Sequence, residues 1–459
     1  MEKPWAKFYD PHVPEHIEYP KVLLQQILDD AADRFPRKTA LFFFGGRMNY
    51  GELRAQANQF AGALKGIGFQ KGDRLGLLLA NMPQTIISAF GALKAGGVAV
   101  FFDPLGDEEE LERQFNDSGV ETLVVLDLVL RRVDKIFPRT KLKQFIITGV
   151  KDYLPFPRDF LFSLAARGRG MTVKVARKPN IHLFKDFLPG KPSILPPSEG
   201  MSNDPEDDAF ILYTSGTSGP PKGVILRHRN LVANLLQAAT WIGEVKRGKE
   251  IFLSVLPFHR AFGMTLAMNL PIYLAAMDIS LPRFEIGQVL SAVRKHRPSF
   301  FPALPSMVDS LARDPDISKY KFSSIKFSWS MGKSLPEEIL HTFERRMGGK
   351  VSESYGLSEA TALIHANPIY GKRKIGSIGI PLPDTDAKIV DAGSGEKEKA
   401  PGESGELVIR GPQVMKGYWN RPGETQRALR HGWLYTGDMA RMDEDGFFYI
   451  TGRLDKSRK

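Results

Sequence analysis

Over its first 130 residues the chain alternates helical and strand-like hydrophobic patterns, and that alternation restricts the open folds more than any other feature. Leu23, Leu24, Ile27, Leu28 and Ala31 recur at helical spacing and stop before Pro36. Residues 39–44 read as a buried strand, 50–64 as an amphipathic helix closed by Gly66 and Gly68, 74–80 as a strand and 83–95 as a helix. A strand at 98–102, a charged helix at 108–117 and a strand at 122–127 extend the series. Parallel strands need long crossovers, which helices supply, so the pattern predicts an α/β fold with a mostly parallel sheet under helices. The alternation resumes over 209–349 and predicts a second sheet of the same kind. Beyond about Gly371 short strands and turns take over, with Asp445-Gly446 as a hairpin signal, which predicts a small β-rich part.

Composition narrows the functions. Lys and Arg number 63 against 52 Asp and Glu, a net charge of +11. Such a balance suits a polyanionic ligand, whether nucleotide, nucleic acid or anionic lipid head groups, or else is simply a basic solvated surface. Nucleic acid is set aside, because no stripe of interleaved aromatic and basic residues is present. The chain has no cysteine, which excludes disulfides, thiolate catalysis and Cys-ligated metal centres. Residues 1–16 are polar and punctuated by proline, without a signal-peptide core. The longest apolar stretch, 264–281, is broken by Asn269, Pro271 and Asp278 and falls short of the ~18 clean apolar residues of a membrane span. A soluble, intracellular protein is expected. His12-Val-Pro-Glu-His16 matches an H-x-x-E-H zinc pattern, but Pro11 and Pro14 prevent a helix from presenting both imidazoles on one face. Residues 150–205 are rich in Pro, Gly, Lys and Arg. Within them LPFPRDFLFSLAARGRG (154–170) is either a surface excursion or a short basic helix that meets a membrane surface.

The strongest chemical signal is YTSGTSGPPKG at 213–223, directly after an apolar strand at 209–212. Glycines let backbone N–H groups approach phosphate oxygens, the hydroxyls add donors and Lys222 adds positive charge. It is not a Walker A loop, since Pro221 stands where the second glycine belongs and Gly223, not Ser or Thr, follows Lys222. A flexible linker is the competing reading, but linkers rarely follow a buried strand and carry a fixed lysine.

At this segment the chain resembles the acyl-adenylate-forming superfamily, which includes acyl-CoA ligases, luciferases and nonribosomal-peptide adenylation domains. LPFHRAFGM (256–264) looks like its histidine-aromatic-glycine segment, and SYGLSEAT (354–361) resembles its Tyr-Gly-x-Thr/Ser-Glu motif. LYTGDMA (434–440) matches its Thr-Gly-Asp, and TGRLDK (451–456) the arginine before its interdomain hinge. Long-chain fatty acyl-CoA ligases look closest, through KPWAKFYDPHVP (3–14), FNDSG (115–119), YLPFP (153–157), MNLPIYLAA (268–276) and RGPQVMKGYWNRP (410–422).

The resemblance implies two steps: a fatty carboxylate attacks ATP to give acyl-AMP and pyrophosphate, then the thiol of CoA displaces AMP. ATP, CoA and Mg²⁺ are the implied co-substrates and cofactor. Thr214, Ser215, Gly216, Thr217, Ser218, Gly219 and Lys222 would cradle phosphates, and Lys222, Thr214, Glu359 and His259 would serve catalysis. Glu359, with Thr214, is the expected magnesium ligand, since Mg²⁺ suits one carboxylate plus phosphate oxygens and waters; a solvated glutamate is the alternative. Ser358 sits near a G-x-S-x-G elbow that Ala360 breaks, and is read as a phosphate donor. Gly332, Lys333, Tyr355 and Gly356 would meet the nucleotide. Asp438 would accept from the ribose hydroxyls with Arg453 as partner, though a lone Asp after Gly is usually a turn residue. His259, Phe262, Gly263, Met331, Tyr355 and Gly356 would bind the acyl substrate, with a plain loop residue as the alternative for His259.

The expected division of the chain is 1–205 as an N-terminal α/β part, 206–370 as a second α/β part with the phosphate loop, 371–452 as a β-rich part in the form of a distorted barrel, and 453–459 as the hinge and the start of a C-terminal domain. The sequence stops at Lys459, so the family's C-terminal α+β domain is expected to be absent and the chain to be a fragment, weakly active or inactive alone. SMGKSLP (330–336) stands where relatives carry a loop of small residues, and Ser354 replaces a usual glycine. Met331 either reshapes the acyl tunnel or packs in the core; Lys333 reaches solvent or a phosphate. The leading expectation is a long-chain fatty acyl-CoA ligase. An acyl-adenylating enzyme with another acceptor or a β-hydroxy acid substrate, or a non-catalytic acyl-nucleotide-binding protein, are the alternatives. A cytoplasmic location is expected, with peripheral contact at the inner membrane face and a homodimer left open.

Overall fold

A computed structural model describes residues 3–161, 178–188, 204–214, 219–243, 245–320, 322–332 and 334–454. Ser215, Gly216, Thr217, Ser218, Lys333, the hinge beyond Leu454 and most of the basic segment 154–170 lie outside the described residues.

The larger sheet has eight strands, in the order Gly417–Tyr418, Gly223–Arg227, Asp208–Tyr213, Val98–Phe101, Arg74–Leu78, Thr122–Leu126, Gln144–Thr148 and Ile181–Leu183. The last six run parallel, and the first two add on antiparallel. Val98–Phe101 and Thr122–Leu126 are buried at every residue, as expected of parallel strands covered on both faces. The second sheet comes in two portions. Ile251–Ser254, Met277–Ser280, Thr39–Phe43 and Gly46–Asn49 form one; Phe327–Met331, Lys350–Gly356, Leu363–Ala366 and Ile380–Pro381 form the other. Single parallel bridges from Phe300 to Phe252 and to Phe327 join them. The centre of this sheet is parallel and its outer ends antiparallel.

Hydrogen-bonded ladders cross the segment boundaries read from the sequence. Thr39–Phe43 and Gly46–Asn49 leave the N-terminal part for the second sheet, while Asp208–Tyr213, Gly223–Arg227 and Gly417–Tyr418 belong to the first. The β-rich part is an open antiparallel sheet: Asp386–Val390, Ser404–Arg410 and Trp433–Met442 in order, with Leu429–Arg430 and Phe448–Arg453 on the far edge of Trp433–Met442. Closing a barrel requires its edge strands to pair. Among the described residues no ladder joins Asp386–Val390 to the opposite edge, so the expected distorted barrel is not formed.

Local sequence explains the helices. Asn49 and Glu52 form a capping box on helix Tyr50–Gly66. Asp107 caps Glu108–Ser118, three glutamates occupy its first turn, and Gly119 ends it in the left-handed region at φ +64°. In helix Pro83–Lys94 every residue from Pro83 to Leu93 is buried. A Cβ on its Gly91 would meet the Phe60 ring at 2.7 Å, so glycine sets how closely helix Tyr50–Gly66 approaches. The apolar stretch 264–281 folds inward as a π-helical turn Gly263–Asn269, a short helix Leu270–Tyr273 and strand Met277–Ser280. No helix among the described residues is long and apolar enough to cross a membrane. The two histidines of the zinc-like pattern go to different partners, His12 to the Trp241 carbonyl and His16 to Asp384.

Candidate functional site

A cavity of about 850 Å³ opens where the ends of both sheets meet the β-rich part. Its lining has two characters: Leu256, Pro257, Ala261, Phe262, Leu304 and Leu357 are apolar, while Thr214, Lys222, Ser358, Glu359 and several arginines are polar or charged.

The phosphate-loop segment hangs from a hairpin of the larger sheet. Tyr213 faces Gly223 in the antiparallel pair, and the base is pinched by Thr214 N–H on the Lys222 carbonyl at 3.0 Å and Lys222 N–H on Thr214 Oγ1 at 3.1 Å. Among the described residues the segment runs on into strand Gly223–Arg227 and not into a helix. Charge and donors at the cavity come, among the same residues, from Lys222, Ser358 and arginines such as Arg260 and Arg453. The lysine ammonium lies 2.5 Å from Glu424 Oε2 and 4.8 Å from the centre of the Tyr418 ring.

Glu359 arrives through a tight turn. Strand Lys350–Gly356 pairs with Leu363–Ala366 across it, and a Cβ on Gly356 would fall 1.4 Å from the Ala362 carbonyl oxygen. Only glycine permits that approach, and the turn Ser358–Ala360 then carries Ser358 and Glu359 into the cavity wall. Tyr418 donates its hydroxyl to Glu359 Oε1 at 2.8 Å. Burial, then the Glu359 charge, pushes the Tyr418 phenol far above its ordinary pKa, so it stays a donor.

Asp438 is buried and held by two partners. Tyr355 donates to its Oδ2 at 2.6 Å, and Arg453 Nη1 lies 3.6 Å from Oδ1. Burial and the Asp438 charge hold Tyr355 protonated, well above the usual phenol range. Gly437 turns at φ +73°, its N–H on Glu406 Oε1 at 3.0 Å, and it lines the cavity beside Thr436 and Arg453.

The structure thus gathers Thr214, Gly219, Lys222, Phe262, Gly263, Gly356, Ser358, Glu359 and Arg453 around one cavity. Asp438 and Tyr355 are absent from that lining, but each adjoins in sequence a residue that belongs to it, Gly437 and Gly356. His259 does not join the lining: its Nε2 lies 3.3 Å from Asp103 Oδ2, and that hydrogen bond is the main cause holding Asp103 well below the usual carboxylate range. Its neighbour Arg260 reaches the cavity instead and also meets Asp103 at 3.3 Å. Met331 is buried within strand Phe327–Met331, opposite Ser354, and is absent from the lining, as is Gly332. Gly263 is required where it stands, because a Cβ there would meet the Pro257 carbonyl at 2.0 Å. Tyr418, Glu424, Arg427 and Arg430 were not singled out from the sequence, although Tyr418 lies inside the quoted stretch 410–422. Among the described residues no three His, Asp or Glu gather as a metal cage.

The fold and this cavity define an enzyme class. The description "AMP-binding enzyme" matches residues 28–419, and the chain belongs to that family. It is 43% identical over 453 residues to the long-chain-fatty-acid–CoA ligase of Bacillus subtilis (strain 168), covering 98% of this chain and 80% of that protein. The ligase of the same name from Salmonella typhimurium is 32% identical, over 99% of this chain and 81% of that protein. Among solved structures, a long-chain-fatty-acid-CoA ligase (FadD1) from Archaeoglobus fulgidus superimposes with a TM-score of 0.82 at 24% identity, covering 97% of this chain and 87% of that one. The N-terminal domain of FACL13 from Mycobacterium tuberculosis gives 0.78 at 25% identity, over 95% and 100%.

Proposed function

We propose that the chain activates a long-chain fatty acid with ATP and passes it to CoA. The observation that carries this reading is the cavity with an apolar half beside a half bearing Lys222, Glu359 and arginines, in a chain so similar to long-chain-fatty-acid–CoA ligases. In the first step a carboxylate oxygen bonds to the α-phosphorus of ATP, the bond from that phosphorus to the bridging oxygen breaks, and pyrophosphate leaves. In the second, the CoA sulfur bonds to the acyl carbon, the acyl–oxygen bond breaks, AMP leaves and the thiol proton goes to solvent.

Little covalent work falls to the protein. It must hold the reactants in line and neutralise developing charge on phosphate oxygens. Lys222 and Ser358 line the cavity and would do so, and Phe262 with Leu256 and Leu304 would shelter the alkyl chain. Asp438, oriented by Tyr355 and Arg453, would accept the ribose hydroxyls. A magnesium ion fits as well: Glu359 offers one half-buried carboxylate to the cavity, one oxygen of which is fixed by Tyr418, and Thr214 lines the same cavity. Such an ion takes few protein ligands and keeps phosphate oxygens and waters. When bound it would offset charge on the phosphates.

Peripheral contact with a membrane fits the same substrate. Phe156 and Phe160 are 84% and 63% exposed, close to Leu161 and Arg158, an apolar tip with a basic residue that suits an anionic lipid surface.

The test of the main reading is calorimetric binding of a non-hydrolysable palmitoyl-AMP analogue. Tight binding that Asp438→Ala abolishes is expected. Absence of binding by the unaltered chain refutes the reading. Competition between octanoate and hexadecanoate then tests Met331, whose position outside the lining predicts that it sets no length limit.

A further inference from the structure

The cation at the phosphate loop is already engaged by an acidic side chain. Lys222 Nζ sits 2.5 Å from Glu424 Oε2, and both side chains are largely covered. The same carboxylate serves a second cation, since Arg421 Nη1 lies 3.2 Å from Glu424 Oε1. Arg421 in turn reaches Asp117 at 3.7 Å, and Asp117 accepts the Tyr213 hydroxyl at 2.8 Å. One carboxylate is therefore shared by two cations, one facing the cavity and one braced from behind.

A shared carboxylate can release one partner without being left bare. Phosphate oxygens offer Lys222 more negative charge than Glu424 does, and Arg421 remains to neutralise the carboxylate when Lys222 moves. A half-buried carboxylate with no counter-ion would resist that exchange, because an unpaired charge out of water is costly. The Tyr418 ring on the other side of the ammonium gives it a second resting contact and fixes the start of its path.

We propose that Glu424 is a positioning residue that holds Lys222 beside the cavity and yields it to the ATP phosphates in exchange, with Arg421 as the cation Glu424 keeps. This rests on the reading of the cavity as an ATP site. Its consequence is a change of sign that a purely structural ion pair would not give. Removing the carboxylate charge frees Lys222 and tightens ATP; removing Arg421 makes Glu424 depend on Lys222 alone and loosens ATP.

The experiment is ATP titration by calorimetry of the full chain, with Glu424→Gln, Arg421→Gln, Lys222→Ala and the double variant Glu424→Gln/Lys222→Ala. Glu424→Gln should bind ATP about fivefold tighter, the upper range for an ion pair that still meets solvent at a cavity mouth, and Arg421→Gln about fivefold weaker. The Glu424→Gln gain should vanish in the Lys222→Ala background, which separates exchange at Lys222 from a general loss of negative charge. Weaker or equal ATP binding by Glu424→Gln overturns the proposal, as does a gain that survives without Lys222. If Glu424→Gln does not fold, unchanged or tighter binding by Arg421→Gln overturns it. Failure of the unaltered chain to bind ATP removes the ATP-site reading and this proposal together, whereas binding with unaltered Glu424→Gln affinity removes this one alone.

Discussion

Replacing Asp278 by asparagine tests how the interior of the second sheet depends on pH. Asp278 lies on strand Met277–Ser280, in register with Leu41 and Phe252, and is 2% exposed. Its Oδ2 accepts the Ser280 hydroxyl at 2.6 Å, while Oδ1 has no partner. Burial pushes its pKa from 3.8 up to about 7. In the unfolded chain the carboxyl loses its proton near the ordinary value; in the folded chain it keeps it until near neutrality. The contribution of the protonated form is fully present below the unfolded pKa and is lost as pH rises through the folded one. At about 1.4 kcal/mol per pH unit, the whole loss is about 4 kcal/mol, and about 3 kcal/mol of it falls between about pH 5 and pH 8. Asparagine has the same shape and does not titrate. Its amide leaves N–H groups without acceptors, at a cost of about 1–3 kcal/mol that is the same at every pH. Urea unfolding of both proteins at those two pH values separates the terms. The stability difference, variant minus parent, should move by about 3 kcal/mol in the variant's favour on going from the lower to the higher pH. An equal difference at both values would refute a proton held on Asp278 by burial.

Further outcomes follow from the cavity. Glu359→Gln should slow pyrophosphate release from ATP and palmitate by roughly 10²–10³-fold, the usual cost of losing one charge-stabilising group, and a change under threefold would exclude Glu359 from that role. Tyr355→Phe removes the donor at 2.6 Å from Asp438 and should weaken ATP by about tenfold while leaving inorganic pyrophosphate binding alone; calorimetry with both ligands reads this directly. Gly356→Ala drives a Cβ to 1.4 Å from the Ala362 carbonyl, so the strands must part and stability should fall by about 3 kcal/mol or more in urea unfolding. Gly66→Ala, with open space around it at the end of its helix, is the matched control and should be neutral or stabilising by about 0.5–1 kcal/mol.

What the sequence discloses about this chain is set by the range of each physical signal. Helix Tyr50–Gly66 is legible because its capping box and apolar face lie within a few residues of one another. The loop at 213–223 is legible for the same reason, as glycine, hydroxyl and lysine are packed into one short run. Met331 could not be placed this way. Strand Phe327–Met331 is buried at all five residues, so alternation, the signal that tells one face of a strand from the other, is missing. A residue in such a strand can point to a cavity or to a helix with the same local pattern. The surroundings of His259 are hidden for another reason: its partner Asp103 lies more than 150 residues earlier in the chain, and nothing near position 259 announces a carboxylate waiting there. The same distance hides Glu424. Its nearest counter-ion in sequence is Arg421, which a local reading would treat as an ordinary helix-start pair, but pairing of Gly417–Tyr418 with Gly223–Arg227 swings that turn against the phosphate loop. Two antiparallel residues on a sheet edge therefore decide which cation faces the cavity, and no period in the sequence records them.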